Sequence, residues 1–350
     1  MEKRDIRSML PPELEAVLLE MGEKSFRAGQ IFKWAQQGVT SFDEMTNLSQ
    51  ALRQELDRRF FLQVPRLLEK QVSARDGTIK YLWAMEDGNT VETVLMQYRH
   101  GNTVCISTQV GCRMGCTFCA STVGGLVRNL EPSELLGQVI FSEKEAKLPI
   151  SNIVLMGIGE PLDNFERVLR FLELVNHRDG QNIGMRHITI STCGLIEIID
   201  KLAEYTLQLT LSVSLHAPED ETRDKLMPQN RGQGITALMA ACKRYAARTG
   251  RRLSFEYTMI DGVNDSPRQA KLLADWMTEV GGHVNLILLN PARGEGTLKP
   301  SPRDRLDAFA DILRKNHVGV TIRRQLGTDI DASCGQLRRR REIGVEREGT

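Results

Sequence analysis

A chain of 350 residues with 41% hydrophobic and 26% charged side chains has enough apolar material for a large buried core, which excludes disorder as a description of the whole. Its 46 Lys and Arg balance 45 Asp and Glu, and the net charge of +1 argues against a wholly basic nucleic-acid binder. No apolar run approaches the roughly 18 residues of a membrane span, and the N-terminus interrupts its few apolar residues with charges and two prolines, so a cytoplasmic protein without membrane association is expected.

Residues 1–75 read as a small helical accessory domain. Phe26, Ile31, Phe32 and Trp34 lie among basic and amide residues in Ser25–Gln37, and Leu48, Leu52 and Leu56 recur every four residues in Thr46–Phe60. Residues 76–100 hold two linking strands, Thr78–Met85 and Val91–Tyr98. From 101 to 325 a strand–helix alternation repeats six times. Its strands are Val104–Gln109, Asn152–Met156, His187–Ser191, Leu207–Ser214, Phe255–Ile260 and Val284–Leu289. Helices fall between them at Pro132–Lys147, Asn164–Asn176 and Ser266–Val280. Another starts at Ser301-Pro302, with Ser301 as cap, and carries Leu306, Phe309, Ala310 and Leu313 on one face. A last strand, Gly319–Arg323, precedes a C-terminal segment over 326–350.

Alternating strands and helices imply parallel pairing with right-handed crossovers, and six units make an α/β partial (β/α)6 TIM-like barrel the expected fold. No GxGxxG fingerprint follows the first strand, which weakens a dinucleotide-binding reading. In parallel α/β architectures the chemistry sits at the carboxyl ends of the strands.

Seven cysteines, an odd number in a chain expected in a reducing compartment, do not suggest a structural disulfide framework. Cys105, Cys112, Cys116 and Cys119 crowd together, the last three in a C-x3-C-x2-C run. Three soft thiolates on one short loop select zinc or an iron–sulfur cluster. Zinc would need a fourth ligand, from Cys105, Cys334 or a histidine. A four-iron cube held by three cysteines instead keeps one iron open. Cys193 and Cys242 read as buried small hydrophobes. Between Arg314 and Arg341 stand eight Lys and Arg against Asp329 and Asp331, either a solvated tail or a patch that attracts phosphates.

The C-x3-C-x2-C loop, with Phe118 just before its last cysteine, resembles the signature of the radical S-adenosylmethionine (SAM) superfamily. Cys105-Ile106-Ser107-Thr108-Gln109-Val110-Gly111-Cys112, Gly157-Ile158-Gly159-Glu160-Pro161, Ser212-Val213-Ser214-Leu215-His216 and Ala332-Ser333-Cys334-Gly335-Gln336 resemble the RlmN/Cfr family of RNA adenine methyltransferases, as does Thr40-Ser41-Phe42-Asp43-Glu44-Met45-Thr46. The resemblance implies a [4Fe-4S] cluster on Cys112, Cys116 and Cys119. It also implies two SAM molecules per turnover, bound through Gly159, Glu160, Ser191, Ser214, Leu215, His216 and Asn290. Cys334 would carry a methyl group, Cys105 would resolve an RNA adduct through a transient disulfide with Cys334, and Glu92 would accept a proton.

The implied substrates are adenines, one in 23S rRNA near the peptidyl transferase centre and one beside the anticodon of tRNA, methylated at C2. Ring carbons C2 and C8 are bonded to electron-withdrawing nitrogens and do not attack a methyl sulfonium, so radical chemistry is the route the resemblance supplies. The implied partners are these RNAs and a reducing electron-donor protein, the RNA gripped in part by residues 1–75, and the chain is expected to be a monomer. The C8 branch of the family shares every residue named, although Pro161 and Leu162 read more like the C2 branch. A zinc-stabilised RNA-binding protein without catalysis is the alternative from another class.

Overall fold

The computed structural model describes residues 3–290 and 298–330. Cys334 and the run Arg338–Arg341 therefore lie outside the described residues.

Three helices open the chain: α1 (Pro11–Glu20), α2 (Arg27–Gln36) and α3 (Gln50–Arg59). Proline leads α1, and the Glu13 carboxylate accepts from the Leu10 amide at 2.7 Å, which closes its first turn. Helix α3 begins four residues later than its leucine spacing predicts. Ser49 takes the cap position and its hydroxyl accepts from the Leu52 amide. The Arg7 side chain is buried beneath these helices. Its guanidinium donates to the carbonyls of Ala35 (3.2 Å), Val39 (2.7 Å) and Gln63, tying three segments to one cation. Burial pushes its pKa down to about 10, so the guanidinium stays charged at neutral pH. The helical segment meets the rest of the chain through Ser8, whose hydroxyl accepts from the Ser133 amide, and through Lys144, which donates to the Gly38 carbonyl.

The main sheet has ten strands in sequential order. Strands β1 (Arg66–Val72), β2 (Ile79–Ala84), β3 (Thr90–Tyr98) and β4 (Gly101–Cys105) form an antiparallel meander. From β4 onward every neighbour is parallel: β5 (Ile150–Leu155), β6 (Ile188–Thr192), β7 (Thr210–Ser214), β8 (Ser254–Met259), β9 (His283–Leu288) and β10 (Gly319–Ile322). Connecting helices are α4 (Pro132–Ala146), α5 (Phe165–Asn176), α6 (Ile196–Glu204), α7 (Asp220–Leu226), α8 (Ile235–Thr249), α9 (Pro267–Val280) and α10 (Arg303–Lys315).

Several boundaries differ from the sequence reading. Residues 66–72, expected to be helical, form the edge strand β1. The first barrel strand stops at Cys105 rather than Gln109, because the Thr108 and Gln109 amides turn to the Ile158 carbonyl. Gln109–Gly111 then pairs with Leu126–Asn129 in a separate two-stranded ribbon. Ser301 does not cap α10. Its hydroxyl donates to Asp265 at 2.7 Å, and Pro302 takes the cap position. Among the described residues no helix is long and apolar enough to cross a membrane.

Strand register sorts side chains by face. Ile153, Leu155, Ile188, Ile190, Leu211, Val213, Phe255, Tyr257, Val284 and Leu286 are all buried in the one large core shared with the helices. The alternate positions carry Ser191, Ser212, Ser214, Glu256 and Asn285, which the register places side by side on the other face. Sheets buried on both faces usually read as continuous apolar runs. A polar inner face marks an interior built to hold a polar ligand. The order is linear, leaving β1 and β10 as edges, yet residues from the loop after β4 and from beyond β10 line one cavity, so the sheet curves into an open barrel.

Arg7→Met keeps volume but strands three buried carbonyls, and should cost about 2–4 kcal/mol of stability. Urea denaturation measures this; an unchanged midpoint would contradict the tie.

Candidate active site

A cavity of about 240 Å3 opens at the carboxyl ends of the parallel strands. It is lined by eight of the residues singled out in the sequence: Cys112, Cys116, Cys119, Gly159, Glu160, Ser191, Ser214 and His216. Leu215 is not exposed to it; its side chain sits in the core and its amide donates to the Glu256 carbonyl at 3.0 Å. Asn290 is exposed, two residues past the end of β9. Glu92 and Cys105 are buried outside the cavity lining but on the same sheet face. Register puts Lys80 opposite Val94 and Cys105 opposite Val94, so Lys80, Glu92 and Cys105 share the face that continues to Ser191 and Glu256. The Lys80 ammonium lies 2.9 Å from the Glu92 carboxylate, with both side chains at most 2% exposed.

The thiol loop is held by its backbone. Gly111 has φ +77°, and a Cβ there would collide with the Gly125 carbonyl oxygen, the group that accepts from the Cys112 amide. The Thr117 amide donates to the Leu226 carbonyl, and the Thr122 hydroxyl donates to the Cys119 carbonyl. Arg113 pairs with Asp163, tethering the loop to the segment after β5. Phe118 meets the His216 ring edge-on, with centroids 4.8 Å apart.

Burial, the largest influence, pushes the Cys112 and Cys116 thiols up to about 12. A bound metal group would displace their protons. Among the described residues, no three His, Cys, Asp or Glu groups converge closely enough to hold a bare ion. Cys112, Cys116 and Cys119 all border the one open volume. Thiolate-rich, oxygen-poor donors fit iron–sulfur chemistry. Cys193 also borders the cavity; it is buried in a small apolar cluster with Cys112, Met114 and Met227, in keeping with its reading as a small hydrophobe.

Glu160 is buried at the cavity wall. Its carboxylate accepts from the Leu162 amide at 3.0 Å and the Cys193 amide at 2.7 Å, while burial raises its pKa. No cationic side chain pairs with it among the described residues, so the wall offers an acceptor to an incoming ammonium. Gly159, at φ +107°, lets this turn pass the Gln109 backbone, where a Cβ would lie 2.7 Å from the Gln109 nitrogen. His216 also has positive φ, and its Nδ1 accepts from the Thr258 amide at 3.0 Å. Burial, aided by nearby Arg223, pushes its pKa down to about 3, so the ring is neutral near pH 7.

Two residues escape sequence reading. Buried Arg223 donates to the carbonyls of Leu215 (3.1 Å), Cys193 (2.7 Å) and Ser214 (3.2 Å), bracing the ends of β6 and β7. Nothing in Asp220-Glu221-Thr222-Arg223 signals burial. Glu256 lines the cavity from β8, and its only sequence signal is a lone acid in the apolar run Phe255-Glu256-Tyr257.

Comparison with known proteins agrees with this geometry. Residues 106–273 match the Radical SAM superfamily, and residues 5–62 match the family described as Ribosomal RNA large subunit methyltransferase N-terminal domain. A protein of Desulforamulus reducens named "Probable dual-specificity RNA methyltransferase RlmN" is 50% identical over 97% of each chain. One of the same name from Bacillus subtilis is 49% identical over 96% of this chain and 93% of its own. A crystal structure of a radical SAM methyltransferase from Sphaerobacter thermophilus superposes with a TM-score of 0.90 at 43% identity, covering 95% of this chain and 98% of that one. Near 50% identity over almost the whole length, and on the same fold, the chain belongs to the RlmN family of radical SAM RNA methyltransferases.

Proposed function

We propose that this chain methylates C2 of adenine in 23S rRNA and in tRNA, using a methyl group carried on Cys334. The observation that carries the reading is the shared cavity: three thiols of one loop, the buried Glu160 and the polar inner ends of β6 and β7 face one volume. Cys112, Cys116 and Cys119 would hold a [4Fe-4S] cluster, and Glu160 with the Gly159 turn would receive the amino group of SAM. Ser191 and Ser214, whose hydroxyl oxygens are 3.4 Å apart, would hold the nucleoside beside His216, with Leu215 contributing through its backbone and Asn290 from the segment after β9. When bound, the cluster and SAM supply one-electron cleavage of the sulfonium and so a carbon radical able to remove a hydrogen atom.

The chain's own residues direct the remaining steps. Cys334 takes a methyl group from one SAM and presents it for hydrogen removal during a second, hence two per turnover. Glu92, held by Lys80, accepts the proton that leaves the adenine carbon. The Cys105 thiolate attacks the Cys334 sulfur, the carbon–sulfur electron pair departs with the methylene carbon, which takes up a proton to become the product methyl group, and the disulfide formed awaits external reduction. Dry surroundings around Glu92 and Cys105 keep water from these steps. Residues 1–75 and the basic segment 326–350 would grip RNA, and the target base would enter singly, out of its stack. A separate protein would donate the electron. We place the enzyme in the cytoplasm as a monomer.

Anaerobically reconstituted protein should contain iron and sulfide, and Cys116→Ala should lose both while remaining folded by circular dichroism. Zinc without iron in the parent protein would contradict the assignment. Nucleoside mass spectrometry after turnover on defined RNA should find C2-methyladenosine, whereas a C8 product would overturn the regiochemistry. Cys334→Ala should abolish methylation and keep its iron. Cys105→Ala should accumulate a protein–RNA adduct on denaturing gels; normal turnover by that variant would refute the resolving role.

A further inference from the structure

We infer that Glu256 is a cofactor-positioning residue whose second carboxylate oxygen accepts a hydrogen bond from a ribose hydroxyl of SAM. This rests on the reading of the cavity as the SAM site. On β8, the donors among the described residues that reach Glu256 converge on one oxygen: the Ser212 hydroxyl at 2.8 Å, the Asn285 amide at 2.8 Å and the Arg323 guanidinium at 3.3 Å, all to Oε1. Oε2 is buried and has no partner among the described residues. The side chain as a whole is 4% exposed and borders the cavity. A carboxylate oxygen left bare in a buried site carries a desolvation cost that a ligand donor removes. The asymmetry therefore points to a missing donor.

The kind of donor is set by charge. The cavity wall holds two buried carboxylates, and they are not equivalent. Arg323 already balances Glu256, whereas Glu160 accepts only from neutral donors, the Leu162 and Cys193 amides and the Thr192 and Cys193 side chains, and pairs with no cation among the described residues. An incoming ammonium gains more at Glu160. Glu256 is left to a neutral donor. Register sets Glu256 beside Ser214, and the Ser214 hydroxyl lies 3.4 Å from that of Ser191. This row of two hydroxyls, each able to donate or accept, next to one pure acceptor is complementary to a vicinal diol, whose hydroxyls also do both. The two carboxylates would thus divide the cofactor between them, amino-acid end on Glu160 and ribose on Glu256.

Binding of S-adenosylhomocysteine and of its 2′-deoxy and 3′-deoxy counterparts to the anaerobically reconstituted full chain, by calorimetry, tests this without turnover. In the parent protein, removing the hydroxyl that Glu256 receives should weaken binding about ten- to a hundred-fold. Glu256→Gln should weaken S-adenosylhomocysteine by a similar factor at unchanged iron content, and the deoxy penalty should shrink in that variant. A merely structural role would lower affinity for all three ligands alike. An equal deoxy penalty in parent and variant overturns the inference while leaving the SAM site standing. No deoxy penalty in the parent protein overturns it too, and needs no variant to fold. Absence of S-adenosylhomocysteine binding in the parent protein would sink the cavity reading, and this inference with it.

Discussion

The whole site depends on parallel register. In β6, β7 and β8 the register sends the large apolar side chains Ile190, Leu211, Val213, Phe255 and Tyr257 to the helices and Ser191, Ser212, Ser214 and Glu256 to the interior. A slip of one residue in any strand would exchange the two sets. Ser212 and Glu256 would then enter the helix layer without partners, and Leu211 and Phe255 would fill the cavity. The core and the site are therefore specified by the same alternation, and the hydrophobic stabilisation of one face enforces the geometry of the other.

What the alternation cannot do is end each strand correctly, and here the backbone intervenes. Gly111, Gly159 and His216 all occupy left-handed conformations at the points where the chain leaves the barrel rim. Arg223 collects carbonyls from two neighbouring strand ends that would otherwise be unsatisfied in a buried place. These fixed turns hold the thiol loop and the Glu160 turn against one another, so the site is preorganised by groups that do no chemistry themselves.

Much of this is legible in the sequence, for a physical reason. Strand–helix alternation, glycine-bounded turns and a C-x3-C-x2-C run are local patterns, and the barrel, the thiol loop and the Gly159-Glu160 turn can be read from them. Long-range pairing leaves no such trace. Lys80 and Glu92 sit in strand-like segments where either charge would pass for solvent-facing, and only the register of β2 on β3 shows them buried against each other. Glu256 looks like an interruption in an apolar strand, and Arg223 like one charge of an exposed helix. Strand β1 escapes notice because RLLEKQV lacks clean alternation, as suits an edge strand exposed along much of one side.

Electrostatically the interior is prepared for charge that arrives with its ligands. Burial raises the Cys112 and Cys116 thiols and the Glu160 carboxyl, and a thiolate-bound cluster with an amino acid cation beside Glu160 would offset both costs, while the His216 ring, neutral near pH 7, adds no competing charge. The most direct test is electron–nuclear double resonance of the reduced, reconstituted protein with SAM bearing 15N at its amino group. A 15N coupling to the cluster spin is expected, because a cluster held by the three thiols would keep one iron open beside Glu160. A cluster signal that carries no 15N coupling, with SAM bound at saturation, would contradict it.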